Sequence, residues 1–145
     1  MSAAVAPNAV LLDTCAIIWL ANGDPLQNQA DAKIIHAALA DGVFVSPISA
    51  WEVGMLSRPK TGRAVQFLPD PATWFARFMA GPAIKAAAFT ADIAIAASLL
   101  PEPLHADPAD RLLIATARHM AMPIVTRDAK IIAYAAVGHV SVIAC

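Results

Sequence analysis

Four acidic residues are the strongest candidates for chemistry in this 145-residue chain. They are Asp13, Glu52, Asp110 and Asp128. Carboxylates held about 4 Å apart repel each other, at a cost of roughly 1 kcal/mol per pair in water and about 4 kcal/mol at a partly buried site. Mg²⁺ or Mn²⁺ prefers oxygen ligands, offsets this repulsion, polarises a phosphate and generates hydroxide from bound water. If the fold brings the four carboxylates together, the pattern indicates phosphodiester hydrolysis.

Two of these carboxylates belong to a single helix-strand unit near the end of the chain. Asp107, followed by proline, predicts a helix N-cap, and apolar residues of helical period continue over about 108–120. Residues 123–126 form an apolar run that predicts a short buried strand. A strand that follows its helix this closely usually runs antiparallel to it. We therefore expect Asp110 and Asp128 to meet at one edge of the sheet.

The other two carboxylates are predicted to lie at the same edge. Residues 9–12 form a continuous apolar run that ends at Asp13, and the predicted strand 43–45 precedes Ser49-Ala-Trp-Glu52. Ligands of open α/β sheets bind outside the carboxyl ends of the strands. Each residue also has a structural interpretation: Asp13 as a helix N-cap, and Ser49 with Glu52 as a capping box in which Ser49 is the N-cap.

The remaining periodic segments complete an alternation of helices and strands. Further helices are predicted at about 15–21, 27–40, from Pro71 onward, 90–100 and 129–135, and further strands at 85–90 and 139–143. This order predicts a three-layer α/β/α sandwich around a mostly parallel sheet of four or five strands. Since neither a repeat nor a linker interrupts it, we expect one domain over residues 1–145.

The composition is typical of a compact globular protein, with 59% hydrophobic and 14% charged residues. A chain of this length buries close to 70% of its unfolded surface. Cys15 and Cys145 are far apart and lack metal-ligand spacing, which indicates neither a disulfide nor a zinc site. No basic leader and no uncharged apolar run of about 18 residues occurs. We therefore expect a soluble, non-secreted, cytoplasmic protein that does not enter a membrane.

Two local clusters suggest contacts with partners. The net charge of −1 argues against a broad nucleic-acid surface, but Arg58, Lys60 and Arg63 form one basic loop that either contacts phosphate or is simply solvated. A helix after Pro71 carries the aromatic residues Trp74, Phe75 and Phe78. Successive residues of a helix turn by about 100°, so we expect most of these rings in the core and at least one available to a partner. The four histidines show no paired spacing and are assigned to surface or core.

Four short segments share their order and spacing with a known family. They are Leu-Leu-Asp13-Thr14, Val-Ser-Pro-Ile-Ser-Ala-Trp-Glu52, His-Ala-Asp-Pro-Ala-Asp110-Arg-Leu-Leu-Ile-Ala-Thr-Ala and Ile-Val-Thr126-Arg-Asp128. This set, over nearly the whole chain, resembles the PIN-domain nucleases and specifically the VapC-type toxins of prokaryotic toxin-antitoxin pairs. Each segment is a weak signal alone, whereas the set is specific.

The resemblance implies a metal-dependent endoribonuclease in which Asp13, Glu52, Asp110 and Asp128 bind Mg²⁺ or Mn²⁺. Thr14 and Thr126 would be neighbours of the site, and Asp107 ranks second to Asp110 as a ligand. The family also implies a homodimer and a cognate antitoxin whose tail occupies the active-site groove. We expect that antitoxin near the aromatic helix, projecting a cation into the acidic site. A catalytically silent PIN-like RNA-binding or signalling module is the alternative, and the sequence does not identify the RNA.

Other phosphate-processing classes fit less well. A haloacid-dehalogenase-like enzyme needs a second aspartate where Cys15 stands, and a response-regulator receiver needs an acidic pair and a late lysine that are missing here. The glycine-rich motifs of P-loop and dinucleotide-binding domains do not occur.

Overall fold

Helices and short strands alternate along the chain in this computed structural model, which describes residues 8–27, 29–59 and 65–145. The strands are β1 Val10–Leu12, β2 Val43–Val45, β3 Ile84–Ala86, β4 Ile124–Thr126 and β5 Val142–Ala144. The helices are α1 Thr14–Asn22, α2 Ala30–Ala38, α3 Pro47–Ser57, α4 Pro71–Met79, α5 Ala91–Ser98, α6 Pro108–Met120 and α7 Ala129–Ala136. Lys60 and Arg63 lie outside the described residues.

The five strands form one sheet in the order β3-β2-β1-β4-β5, and all of the described pairs are parallel. The predicted α/β/α architecture is therefore confirmed, with a sheet that is wholly parallel rather than mostly so. From β1 the chain builds the sheet toward β2 and β3, and then returns to add β4 and β5 on the other side of β1. This reversal makes the gap between the carboxyl ends of β1 and β4 a topological switch point.

Apolar residues of the central strands pack on both faces of the sheet. Leu11 and Ile124 belong to one buried cluster together with Ile114 of α6, whereas Leu12 and Val125 belong to the cluster on the other face. All five residues are 0% exposed. Burial on both faces explains why these strands appear in the sequence as continuous apolar runs. No helix of the described segments is long and apolar enough to cross a membrane.

Helix α6 has the predicted bounds, but several other elements are shorter than predicted. The third strand ends at Ala86 instead of residue 90, because Thr90 is the N-cap of α5 and its Oγ1 accepts a 3.2 Å hydrogen bond from Ile93 N. Helix α2 covers Ala30–Ala38 rather than 27–40. The last strand begins at Val142, where pairing with Ile124 begins, rather than at residue 139. Pairing partners, which local pattern does not show, set these strand ends.

The predicted start of α3 was wrong. Its N-cap is Ser46, whose Oγ accepts a 3.1 Å hydrogen bond from Ile48 N, and Pro47 occupies the first turn. Ser49 is therefore a fully buried residue inside the first turn rather than a cap. Since β2 ends at Val45, the chain enters the helix at once, and proline at the first helical position favours that start.

Candidate active site

A cavity of about 360 Å³ opens at the carboxyl edge of the sheet, beside the switch point between β1 and β4. It is lined by Asp13, Thr14, Cys15, Trp19, Glu52, Asp107, Asp110, Leu113, Arg127 and Asp128. The fold thus brings together the four carboxylates that the sequence placed at one edge, and it adds Asp107. They come from segments that are up to about 115 residues apart, so only the tertiary fold unites them.

Three of these carboxylates are also helix N-caps. Asp13 Oδ1 accepts a hydrogen bond from Ala16 N at 2.8 Å, and Asp107 Oδ1 accepts one from Asp110 N at 3.0 Å. Asp128 Oδ1 accepts from Lys130 N at 2.8 Å. In each case the cap occupies Oδ1, which leaves Oδ2 for another partner, and the positive end of the helix dipole stabilises the negative charge. Capping and ligand binding are therefore compatible functions of the same residue.

Glu52 lies in the second turn of α3 and is held by the hydroxyl group of Thr14. This hydroxyl donates a hydrogen bond to Glu52 Oε1, and Thr14 Oγ1 lies 3.0 Å from Ser49 Oγ. Thr14 and Ser49 are both buried. The polar contact predicted between Ser49 and Glu52 thus passes through Thr14 instead of through a capping box, and it connects α1 with α3.

His105 contacts Asp110, a role that the sequence did not predict. Its Nε2 lies 2.7 Å from Asp110 Oδ2, and the two side chains are 16% and 21% exposed. Because no two histidines of the chain have paired spacing, the sequence assigns His105 only to surface or core. A pattern that could have revealed it is a histidine just before the N-cap of a helix whose first turn carries an aspartate.

Two other predicted site residues, Thr126 and Arg58, do not line the cavity. Thr126 is fully buried at the end of β4, where its Oγ1 accepts a 3.0 Å hydrogen bond from Asp128 N and so fixes the turn that presents Asp128. Arg58 is exposed at the C-terminal end of α3, with Nη1 3.5 Å from Met55 Sδ, and does not line the cavity. The structure leaves Lys60 and Arg63 undescribed.

The aromatic residues of α4 are all partly buried. Trp74, Phe75 and Phe78 pack against the core cluster on one face of the sheet. The Trp74 ring lies 4.8 Å from the buried Phe67 and 6.3 Å from Phe78, measured between ring centroids. The core interpretation therefore accounts for much of each side chain, and none of the three is fully exposed or fully enclosed.

Burial makes three carboxylic acids of the cavity, Asp13, Glu52 and Asp110, weaker acids. The pKa of Asp13 is raised to about 6, mainly by burial and also by the charges of Asp110 and Asp128. The hydrogen bonds from Thr126 and Ala16 lower this pKa but do not outweigh the burial. The pKa values of Glu52 and Asp110 are raised as well, first by burial and then by neighbouring carboxylates. The uncompensated negative charge thus destabilises the ionised site.

Comparison with known families identifies the family to which the chain belongs. The model of the PIN domain family matches residues 10–137. The chain belongs to the PIN domain family. The resemblance seen in the four sequence segments is thereby confirmed. No curated protein sequence matches the chain.

Solved structures share this PIN fold at low sequence identity. A structure of VapBC2 from Rickettsia felis bound to a promoter DNA fragment matches at 15% identity and a TM-score of 0.66, covering 94% of this chain and 98% of that one. FitAcB from Neisseria gonorrhoeae matches at 19% identity and a TM-score of 0.51, covering 92% and 95%. FitAB bound to an IR36 DNA fragment matches at 20% identity and a TM-score of 0.54, covering 93% of this chain and 94% of that one. At these identities the likeness concerns the fold.

The donor set of this PIN domain fits a hard divalent cation. Every carboxylate lining the cavity supplies oxygen. Burial, followed by the neighbouring carboxylate charges, raises the pKa of the Cys15 thiol to about 11, so that it stays protonated. Within the described ranges no three acidic, histidine or cysteine side chains are placed so that together they could hold a metal ion. Mg²⁺ does not need three protein ligands, because it binds through one or two carboxylates and keeps several waters.

Proposed function

We propose that this PIN domain is a metal-dependent endoribonuclease that hydrolyses RNA phosphodiester bonds and acts as the toxin of a toxin-antitoxin pair. The observation that carries the proposal is the convergence of Asp13, Glu52, Asp110 and Asp128 on one cavity at the switch point of the sheet. Buried carboxylates with raised pKa values are destabilising by themselves, and a divalent cation removes that penalty.

Each carboxylate has a distinct part in the proposed site. When bound, Mg²⁺ or Mn²⁺ would polarise the scissile phosphate and lower the pKa of a water molecule. Asp13 and Asp128 each keep Oδ2 for the cation, because the cap occupies Oδ1. Asp110 is oriented by His105 and Glu52 by Thr14, so neither side chain needs to reorganise when RNA arrives. Asp107 is a further ligand candidate beside Asp110.

An RNA-cleavage assay tests this proposal. We expect the purified protein to cleave RNA with Mn²⁺ or Mg²⁺ and to stop when EDTA is added, whereas Asp13→Asn and Asp110→Asn are inactive yet folded by circular dichroism. Cleavage that persists in EDTA, or in both variants, would contradict the metal site. RNA binding without cleavage under every metal condition would instead support the silent-module alternative.

We further propose a cognate antitoxin, a homodimer and a cytoplasmic setting. The similar structures include VapBC2 and FitAB, each bound to DNA, and the resemblance to VapC-type toxins implies a protein partner. The large apolar side chain of Trp51 is 57% exposed on α3, the helix that carries Glu52, and α3 contacts the aromatic helix α4. We expect the antitoxin to cover this region and to place a cation in the acidic cavity. If the antitoxin no longer inhibits RNA cleavage by Trp51→Ala, that placement is supported. If it inhibits this variant as well as the unmodified protein, the placement is contradicted.

The loop of Arg58, Lys60 and Arg63 is the second proposed contact with RNA. Arg58 begins this loop as the C-cap of α3, six residues after Glu52, which lines the acidic cavity. A strand of RNA that crosses the cavity would reach the loop after running along part of this helix, roughly 9 Å at 1.5 Å per residue. We propose that the loop binds phosphates away from the scissile bond.

A further inference from the structure

The guanidinium of Arg127 lies over the ring of Trp19 at the wall of the acidic cavity. Its Cζ is 3.3 Å from the centroid of the Trp19 ring, and its Nε donates a 3.1 Å hydrogen bond to the main-chain oxygen of Cys145, the last residue of the sequence. Both residues line the cavity, and Arg127 is exposed while Trp19 is half-buried. The guanidinium is thus held by two contacts without being enclosed.

Arg127 forms no ion pair with the aspartate and glutamate side chains that line the cavity. Five carboxylates and this single cation line the cavity. The side-chain ion pairs formed among the described residues are His105 with Asp110 and Arg111 with Glu102, so no aspartate or glutamate side chain of those ranges pairs with the Arg127 guanidinium. Its Nη1 and Nη2 likewise donate to no protein acceptor in those ranges, whereas Nε does.

This arrangement matches the geometry of phosphate recognition. A guanidinium presents two parallel N–H groups that fit two oxygens of a phosphate, and stacking on an aromatic face fixes its plane. Holding the side chain in advance reduces the conformational entropy lost on binding. An acidic cavity by itself repels the RNA backbone, and a positive charge at its wall opposes that repulsion where the strand must approach.

We propose that Arg127 binds a phosphate of the RNA strand next to the scissile one, and that Trp19 is the positioning residue that holds Arg127 for this contact. The inference rests on the proposed ribonuclease function and identifies a substrate contact of the same site. It concerns phosphate and not base identity, so it should hold for RNA of any sequence.

The experiment compares Arg127→Gln, Arg127→Lys, Trp19→Leu and Trp19→Phe with the unmodified protein. Binding of a fluorescent single-stranded RNA is measured by anisotropy in Ca²⁺ over a salt series, and KM and kcat are measured in Mn²⁺. Arg118→Gln is the matched control, because it removes one exposed arginine roughly 12 Å further along α6 than Asp110.

We expect Arg127→Gln to weaken RNA binding and raise KM by roughly tenfold, the usual value of a charge-assisted hydrogen bond, with little change in kcat. It should also reduce the log-log salt slope by about 0.7, one phosphate contact on a single strand. Arg127→Lys should keep the slope but not the affinity, since lysine keeps the charge and loses the planar fork. Trp19→Leu should raise KM without changing the salt slope, whereas Trp19→Phe should keep the KM of the unmodified protein. Arg118→Gln should leave both KM and the salt slope unchanged.

Three results would overturn the inference. If Arg127→Gln or Arg127→Lys keeps the unmodified KM, Arg127 does not contact substrate. If Arg127→Gln lowers only the melting temperature and leaves affinity and salt slope intact, the residue is a structural tie between Trp19 and Cys145. If the unmodified protein neither binds nor cleaves RNA, the proposed function fails together with this contact. In the first two results, by contrast, the unmodified protein still cleaves RNA and only the contact fails.

Discussion

The carboxyl and amino edges of the sheet present very different surfaces although the same strands form both. The carboxyl edge carries the cavity of five carboxylates. At the amino edge a cavity of about 280 Å³ is lined by Asn8, Ala9, Val10, Ala32, Lys33, His36, Ala37, Pro123 and Ile143. Among the described residues that line this second cavity there is no carboxylate, and most are small and apolar.

Helix polarity explains why the acidic residues collect at one edge. Helices α1, α6 and α7 begin at the carboxyl edge with the N-caps Asp13, Asp107 and Asp128. The positive end of each helix dipole favours a carboxylate there, whereas the C-terminal ends at the amino edge disfavour one. The fold therefore provides an edge at which negative charges cost least, and Glu52 and Asp110 extend the set beyond what capping requires.

The largest effect should come from removing one carboxylate charge at a time from the carboxyl edge and, as a control, from the amino edge. Asp13→Asn and Asp110→Asn should each lower RNA cleavage by about a thousandfold, because metal-assisted charge stabilisation is worth several kcal/mol. Asp41→Asn is the matched control: Asp41 precedes β2 at the amino edge and accepts a hydrogen bond from Asn8 N at 3.0 Å, which asparagine can also accept. Equal losses in all three variants would show that the two edges do not differ in function.

The pH dependence of stability should also distinguish the edges. Since the folded pKa of Asp13 is raised from 3.8 to about 6, the folded state binds its proton more tightly than the unfolded state does. Stability from this group is thus present below about pH 4 and lost as the pH rises through 6. In EDTA at pH 8, we expect Asp13→Asn to raise the free energy of unfolding by about 3 kcal/mol, since two pKa units correspond to that amount.

Urea unfolding at pH 8 and pH 4 measures this effect. The gain should vanish at the lower pH, and Asp41→Asn should show no gain at either. Asp13→Ala should gain about 1 kcal/mol less than Asp13→Asn, because asparagine still caps α1 and alanine does not. A loss of stability in Asp13→Asn at pH 8 would mean that capping outweighs charge burial.

Divalent cations should stabilise the carboxyl edge directly. A cation that binds only the folded state adds about 2.7 kcal/mol at a hundredfold excess over its Kd. We expect the melting temperature of the unmodified protein to rise with Mn²⁺ or Mg²⁺, and the rise to disappear in the double variant Asp13→Asn with Asp128→Asn. In EDTA the double variant should be more stable than the unmodified protein. An unchanged melting curve with Mn²⁺, together with a less stable double variant, would make the carboxylates helix caps only.

A smaller effect is expected at the residue that orients Asp110. His105→Leu removes the 2.7 Å contact to Asp110 Oδ2 and should weaken Mn²⁺ binding about tenfold by calorimetry, as is usual when a metal ligand no longer has its hydrogen-bond partner. His105→Gln can still donate a hydrogen bond and should recover part of the affinity. His119→Gln, an exposed histidine near the far end of α6, serves as the control. Equal Mn²⁺ affinity in His105→Leu would leave the histidine without a role at the site.

The smallest effect concerns the basic loop beyond α3. Replacing Arg58, Lys60 and Arg63 by alanine should flatten the log-log salt dependence of RNA binding by about 0.7 for each phosphate that the loop no longer binds. An unchanged slope would assign the loop to ordinary solvation, and RNA binding would then depend on the carboxyl edge alone.

Local patterns in the sequence were sufficient for the order of elements and for the position of the acidic residues. The apolar run before Asp13 and the Asp-Pro start of α6 identify a buried strand and a helix without reference to the rest of the chain, because burial on two faces and N-capping leave local marks. Parallel α/β connectivity then places Asp13 and Asp128 at one edge, and the strand order confirms it. The family followed from the spacing of the same residues, and the match to residues 10–137 confirms it.

The tertiary structure alone decided which side chains hold these carboxylates. The contact of His105 with Asp110, the link from Thr14 to Glu52 and the stacking of Arg127 on Trp19 each join side chains whose orientation no periodicity reports. The end of β3 at Ala86 was likewise set outside the local segment. It depends on where the neighbouring strand β2 stops offering hydrogen bonds, and that is a property of the assembled sheet.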